Sequence, residues 1–164
     1  MPNARFDFPD FVGKFPPVPM PITLGEDSHH VFSIENQPLP IEMIEQFIQP
    51  ANPDGTPPDD EYTEYVPCLA IDDTDGFVAL IWWKASLLHY EYVLATFNLK
   101  GEQIDRRVIG HTRIQNGRLS RAVATIDEDW VVFIAEGESA DGDIFDPTSS
   151  RTYEVEIMND GTIA

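Results

Sequence analysis

From Tyr62 onward, apolar and polar positions alternate with a period of two, the pattern of strands that bury one face. It predicts strands at about 63–72, 77–85, 89–98, 102–110, 112–115, 118–126, 130–137 and 151–158, with a stub at 162–164. Two of them, Phe77–Trp83 and Trp130–Ala135, are apolar at successive positions. An antiparallel strand with one wet face alternates, so both are expected to be central and covered on their second side. The turns have explicit chemistry. Asp73–Gly76 and Asn98–Gly101 fit type I turns closed by a left-handed glycine, Asn116-Gly117 is a two-residue type I′ signal, and Asn159–Gly161 marks one more turn.

Upstream the pattern changes. Over Leu39–Gln49, Ile41, Ile44, Phe47 and Ile48 recur at three-four spacing, with Pro40 in the first turn and Pro50 as a stop, which predicts one short helix at about 39–49. About three turns are marginal alone, so it should dock on the sheet. In residues 1–28, Phe6, Phe8, Phe11 and Phe15 are spaced among prolines, predicting an extended arm rather than helix or sheet interior. Val31–Ile34 reads as a short strand and 50–61 as a Pro/Asp loop.

The predicted architecture is a single domain, mainly β: a curved antiparallel meander of about eight strands, a half-barrel or small barrel, over 62–164, with the arm and helix laid across it. Leu69–Asp72, Leu94–Asn98, Val123–Asp127 and Val155–Asn159 each end a strand on an acidic or amide residue, at intervals of roughly 25–30 residues, like propeller-blade hairpins. A closed propeller needs about twice as many strands.

Charge narrows the partners. Against 10 basic residues stand 29 acidic ones, a net charge of −19. Such a field disfavours nucleic acid and anionic membranes, and it suits either a solvated surface or a basic partner. The single cysteine, Cys68, excludes an internal disulfide and a cysteine zinc cluster, and reads as a buried inert thiol. There is no apolar stretch of membrane-spanning length and no apolar N-terminal run, which predicts a cytoplasmic chain unless a leader has been trimmed.

The first candidate site is the tip of the Phe77–Phe97 hairpin. A turn centred on Ser86-Leu87 pairs Trp83 with Tyr90 and Ile81 with Tyr92 on a core face. On the other face it pairs Lys84 with His89 and Trp82 with Glu91. Trp82, Lys84, His89 and Glu91 would then form a ligand platform, an indole to stack on with polar neighbours to hydrogen-bond. The alternative is that Trp82 packs under the helix or the arm. Six of the 10 basic residues lie between Lys100 and Arg121, and Arg113 and Arg118 share a face that could hold an anion or pair with local carboxylates.

Other chemistry is sparse. His29-His30, His89 and His111 show no metal-ligand spacing, and no G-x-S-x-G elbow supports a nucleophilic triad, so no metal and no cofactor is expected. Asp141, Asp143 and Asp146, in an expected loop over Glu136–Ser150, resemble the start of a calcium loop. Phe145 stands where a further oxygen belongs, and the bidentate Glu is missing.

The runs Phe15–Leu24, Leu39–Glu42 and Tyr92–Asp105 resemble a group of small uncharacterised bacterial β-meander proteins, in which a Pro-rich arm and a short helix precede the sheet. That resemblance implies the same order of parts and carries no activity or site residues. The reading is therefore a non-enzymatic binding or protein-interaction module with an acidic surface. Two alternatives stand beside it: a carboxylate hydrolase or sugar-modifying enzyme using Trp82 and Glu91, and an acidic partner or inhibitor of a basic protein. Open sheet edges allow a homodimer.

Overall fold

The computed structural model describes residues 6–48, 63–140 and 144–164, with side chains described outside 140–149. The expected meander is present: one open sheet of nine mostly antiparallel strands. They are β1 (Pro17–Val18), β2 (Ile22–Leu24), β3 (Glu64–Ile71), β4 (Phe77–Ser86), β5 (His89–Asn98), β6 (Gln103–Gln115), β7 (Arg118–Ile126), β8 (Val131–Ala140) and β9 (Ile144–Glu156). The main path runs β1-β3-β4-β5-β6-β7-β8-β9, with β1 parallel to β3 and β2 antiparallel to β7. The turn glycines have the required conformation: Gly76, Gly101, Gly117 and Gly161 all have positive φ, as does Asn116.

The N-terminal segment is more regular than its prolines predict. Phe8–Val12 forms a one-turn helix, α1, which places Pro9 in the first turn, where its missing N–H costs nothing. Pro17 lies in β1, which adds to the sheet edge beside β3, and Pro21 precedes β2, which pairs with β7, so this stretch joins the sheet rather than lying across it as an extended arm. Val31–Ile34 is not a strand but part of α2 (Ser28–Glu35). Asn36 stops that helix and ties it to β3, donating from Nδ2 to the carbonyls of Pro67 and Cys68 at the β3 bulge. The helix over 39–49 is present as α3 (Ile41–Met43) continuing into a π-helical turn, Ile44–Ile48. Gln49 and the 50–61 loop lie outside the described residues.

Two cores result, one on each face of β3–β5. On one side Leu69, Phe77, Ile81, Leu94, Ile109, Ile126, Val132 and Ile134 pack together. On the other side Phe8, Phe11, Phe15, Leu39, Met43 and Ile48 close over Leu80, Trp82, Val93 and Phe97. The expected lid over β4 is therefore real, built from α1 and α3. The same expectation fails for β8. There Phe133 is 46% exposed and nothing described covers the outer face. The lid residues of α1 and α3 pack on Leu80, Trp82, Val93 and Phe97 of β4 and β5, and no β8 residue belongs to that cluster.

The Glu136–Ser150 stretch is not a long loop: β8 and β9 extend through it as a hairpin, with Glu138 opposite Asp146 and Ala140 opposite Ile144. The strands expected at 102–110 and 112–115 are one strand, β6, with a bulge at Ile109. No described helix is long and apolar enough to cross a membrane.

One feature of the ladder positions the site. β6 and β7 pair only from Gln115–Arg118 back to His111–Ala122. Beyond that point β7 exchanges β6 for β2, with Ala124 opposite Leu24 and Ile126 opposite Ile22. β6 meanwhile continues along β5 and meets the C-terminal segment, where the Ile163 N–H donates to Asp105. The sheet forks.

Candidate functional site

The β4–β5 turn is Leu87-Leu88, one residue further than the sequence suggests, so Trp83 faces Tyr92, Lys84 faces Glu91 and Ser86 faces His89. A shift of two in pairing keeps every side chain on its expected face. The expected platform nonetheless breaks up. Trp82 is 1% exposed, edge-on to Phe15 and beneath the Arg106 guanidinium. It has no open face for a ligand, because the N-terminal lid occupies it. Lys84, His89 and Glu91 do meet near the tip, with His89 Nε2 2.6 Å from Glu91 Oε1. They form a polar cluster without an indole.

The open tryptophan is its neighbour. Trp83, on the opposite face of β4, lines a cleft of about 370 Å³ at the fork. Its ring lies 4.1 Å from the His29 ring and 5.7 Å from that of Tyr90, both nearly parallel to it. Tyr92, His30, His111, Glu26 and Asp27 complete most of the wall.

The fork explains how these residues converge. Where β6 leaves β7, Gly110 passes Ala122; a Cβ there would come within 3.2 Å of the Ala122 carbonyl and of the Tyr92 ring. Tyr92 reaches past it and donates its hydroxyl to the Gly25 carbonyl at 2.9 Å. The Gly25 N–H donates to Ser28 Oγ, which holds the entry to α2 over the cleft. Because this segment is helical and not extended, His29 and His30 do not diverge; their rings lie 4.0 Å apart and both line the cleft.

Tautomers follow from the partners. His29 Nδ1 lies 2.9 Å from the Glu26 carbonyl, which can only accept, so the proton is on Nδ1 and Nε2 keeps its lone pair. Burial, then the neighbouring His30, holds the His29 pKa below its ordinary value. Burial pushes the Tyr92 phenol up, so it remains a donor.

His111 lies between this cleft and a second, more polar hollow of about 570 Å³ that includes Arg113, Ser120, Glu136, Glu138 and Arg151. His111 Nε2 is 2.9 Å from Ser120 Oγ, a spacing that would suit a base and its nucleophile. The other nitrogen argues against it. Arg113 Nη2, which can only donate, approaches His111 Nδ1 at 3.5 Å. That leaves the proton on Nε2, where it donates to Ser120 rather than accepting from it. Burial and the Arg113 charge also hold the His111 pKa down.

The predicted anion patch divides in two. Arg118 is held by Glu138 at 3.2 Å, and Arg151 is bound to Glu136. Arg113 turns to His111 and keeps its buried Nε without a partner. Cys68 is fully buried, and burial pushes its thiol pKa up, as expected of an inert thiol. Of the calcium candidates, Asp141 and Asp143 lie outside the described residues and Asp146 is placed only by its backbone in β9. Among the described residues no three His, Cys, Asp or Glu side chains cluster as a metal site.

The sequence pattern assigns Trp83, Tyr90 and Tyr92 to the core and, read as strand, sends His29 and His30 to opposite faces, which the helix α2 overturns. The face is as expected and Tyr92 is buried, but Trp83 and Tyr90 are only half-buried, because the fork leaves the cleft end of that face open. No family model, curated protein or solved structure matches the chain significantly.

Proposed function

We propose that this protein is a non-enzymatic binding module and that the cleft at the sheet fork is its ligand site. The observation that carries the reading is the Trp83 ring, half-buried and bordered by His29 and Tyr90 in parallel planes within a concavity of small-ligand size. An aromatic surface with directional polar groups at its edge suits a small molecule with a compact apolar or flat part. The Tyr92 hydroxyl, fixed by Gly25, and the free lone pair of His29 set orientation.

The arrangement favours binding over chemistry. In the most triad-like pair, His111 and Ser120, the imidazole proton is directed at the hydroxyl, the wrong way for activation. The carboxylate alternative loses its stacking surface with the burial of Trp82, and Glu91 is engaged by His89.

A fragment screen by ligand-observed NMR, with the Trp83 indole N–H assigned in the protein, tests the reading. Hits should shift Trp83 and Thr112, which also lines the cleft, and should disappear in Trp83→Ala. A screen at millimolar concentrations with no hit that moves Trp83 overturns it.

A further inference from the structure

We propose that the Trp83 cleft selects ligands bearing a positive charge, an organic ammonium group attached to a compact or flat apolar body. This deepens the reading of the cleft as a binding site and rests on it.

Three independent features point to this class. The charged residues that line the cleft are Glu26 and Asp27; no lysine or arginine lines it among the described residues. Arg121, the cation paired with Glu26, is held at 3.2 Å, while Asp27 is 91% exposed, with His30 4.0 Å away. An anionic ligand would have no fixed cation to meet.

The walls supply what a cation uses. Trp83 and Tyr90, both half-buried, line the cleft, with His29 stacked on one face of the indole and the buried Tyr92 behind them; aromatic rings in the wall attract a cation through their quadrupoles. His29, with its proton held on Nδ1 by the Glu26 carbonyl, has a lone pair on Nε2 that can accept from an ammonium N–H.

The whole-molecule field acts in the same direction. A net charge of −19 raises the local concentration of cations and speeds their encounter with an acidic cleft. The second hollow differs, with Arg113 and Arg151 in its wall beside Glu136 and Glu138, so its lining is of mixed sign. The two hollows meet at His111, and only the first has acidic residues without a lysine or arginine in its described lining.

Two shape-matched series test the proposal on the full chain. One is choline, 3,3-dimethylbutan-1-ol and 3,3-dimethylbutanoate; the other is benzylamine, benzyl alcohol and benzoate. Affinity is read from chemical-shift titration of the Trp83 indole. In at least one series the cation should bind tenfold or more tightly than its neutral match, and the anion should not bind. Asp27→Asn should reduce cation affinity severalfold and leave the neutral member unchanged, and added salt should act in the same way. If, in every series with a member that binds, the neutral or anionic compound binds as tightly as its cation, charge selection is overturned while the cleft remains a binding site. Failure of all six compounds to move Trp83 at millimolar concentration overturns charge selection as well, and leaves the general binding reading to the broader screen. Should Asp27→Asn prove unstable, Glu26→Gln and the salt titration on the unmodified chain read the same quantity.

Discussion

Trp82 and Trp83 are adjacent in the chain, identical in chemistry and opposite in fate. Trp82 is sealed beneath Phe15 and Arg106 and acts as core. Trp83 stands half-open at the fork with His29 and Tyr90. Strand geometry sends successive side chains to opposite faces, so the pair samples both sides of β4 at one height. The difference teaches that what covers each face, and not the residue, sets the role of a large aromatic side chain.

The most direct way to break this contrast is to delete each ring. Trp82→Ala should cost about 3–5 kcal/mol, the usual range for emptying a buried aromatic site. Trp83→Ala should cost about 1–2 kcal/mol, since part of its ring is already wet and its stacking contacts are modest. Urea unfolding of both variants checks this; equal losses would dissolve the distinction between core and cleft.

The lid itself can be probed from a glycine. Gly101 has φ +92°, and a Cβ there would lie 3.0–3.1 Å from the Phe8 ring; Gly117 has φ +74° with open space around it. Gly101→Ala should therefore lose about 1–3 kcal/mol. Gly117→Ala should lose less, about 1 kcal/mol, from backbone strain alone. The difference in their urea midpoints reports how tightly α1 (Phe8–Val12) is seated.

On the cleft side, Tyr92→Phe removes the donor to the Gly25 carbonyl and should cost about 1 kcal/mol. Faster amide exchange at Gly25–Ser28, with the amides of β3 (Glu64–Ile71) unchanged, would confine the effect to the cleft.

Acid should weaken the cleft side as well. His29 and His111 are held neutral in the fold, chiefly by burial, with folded pKa values below the ordinary 6.5. The unfolded imidazoles take up protons first as pH falls, so their contribution to stability is intact above about pH 7 and declines as pH drops through 6.5 toward the folded values. A His29→Asn/His111→Asn double variant should show a flatter change of urea midpoint from pH 7.5 to 5.5 than the parent chain. The smallest effect is expected at Arg118→Ala, which breaks a half-exposed pair with Glu138 and should change stability by no more than about 0.5 kcal/mol.

A second pair of regions shows what could be inferred in advance. β4 and β8 carry the same doubly apolar pattern, and from pattern alone both should be covered. β4 is, because Phe8, Phe11, Phe15 and Met43 reach it. β8 is not, and Phe133 remains exposed. Periodicity reports how apolar a face is, but not whether a distant segment arrives there. The same limit hid the site: Tyr90 and Trp83 were legible as sharing one face, yet their exposure depends on β2 (Ile22–Leu24) displacing β6 (Gln103–Gln115) from β7 (Arg118–Ile126), a pairing across about a hundred residues of sequence.

The sequence by itself determined the meander, its glycine turns and the face to which each hairpin side chain belongs, because these depend on local φ/ψ preference and a period of two. Only the tertiary structure decided that residues 28–35 coil into a helix, that Trp82 is sealed, and that Trp83 meets His29 in an open cleft. Those outcomes depend on long-range contacts, above all the Asn36 bonds to β3 and the forked pairing of β7, which no local pattern encodes.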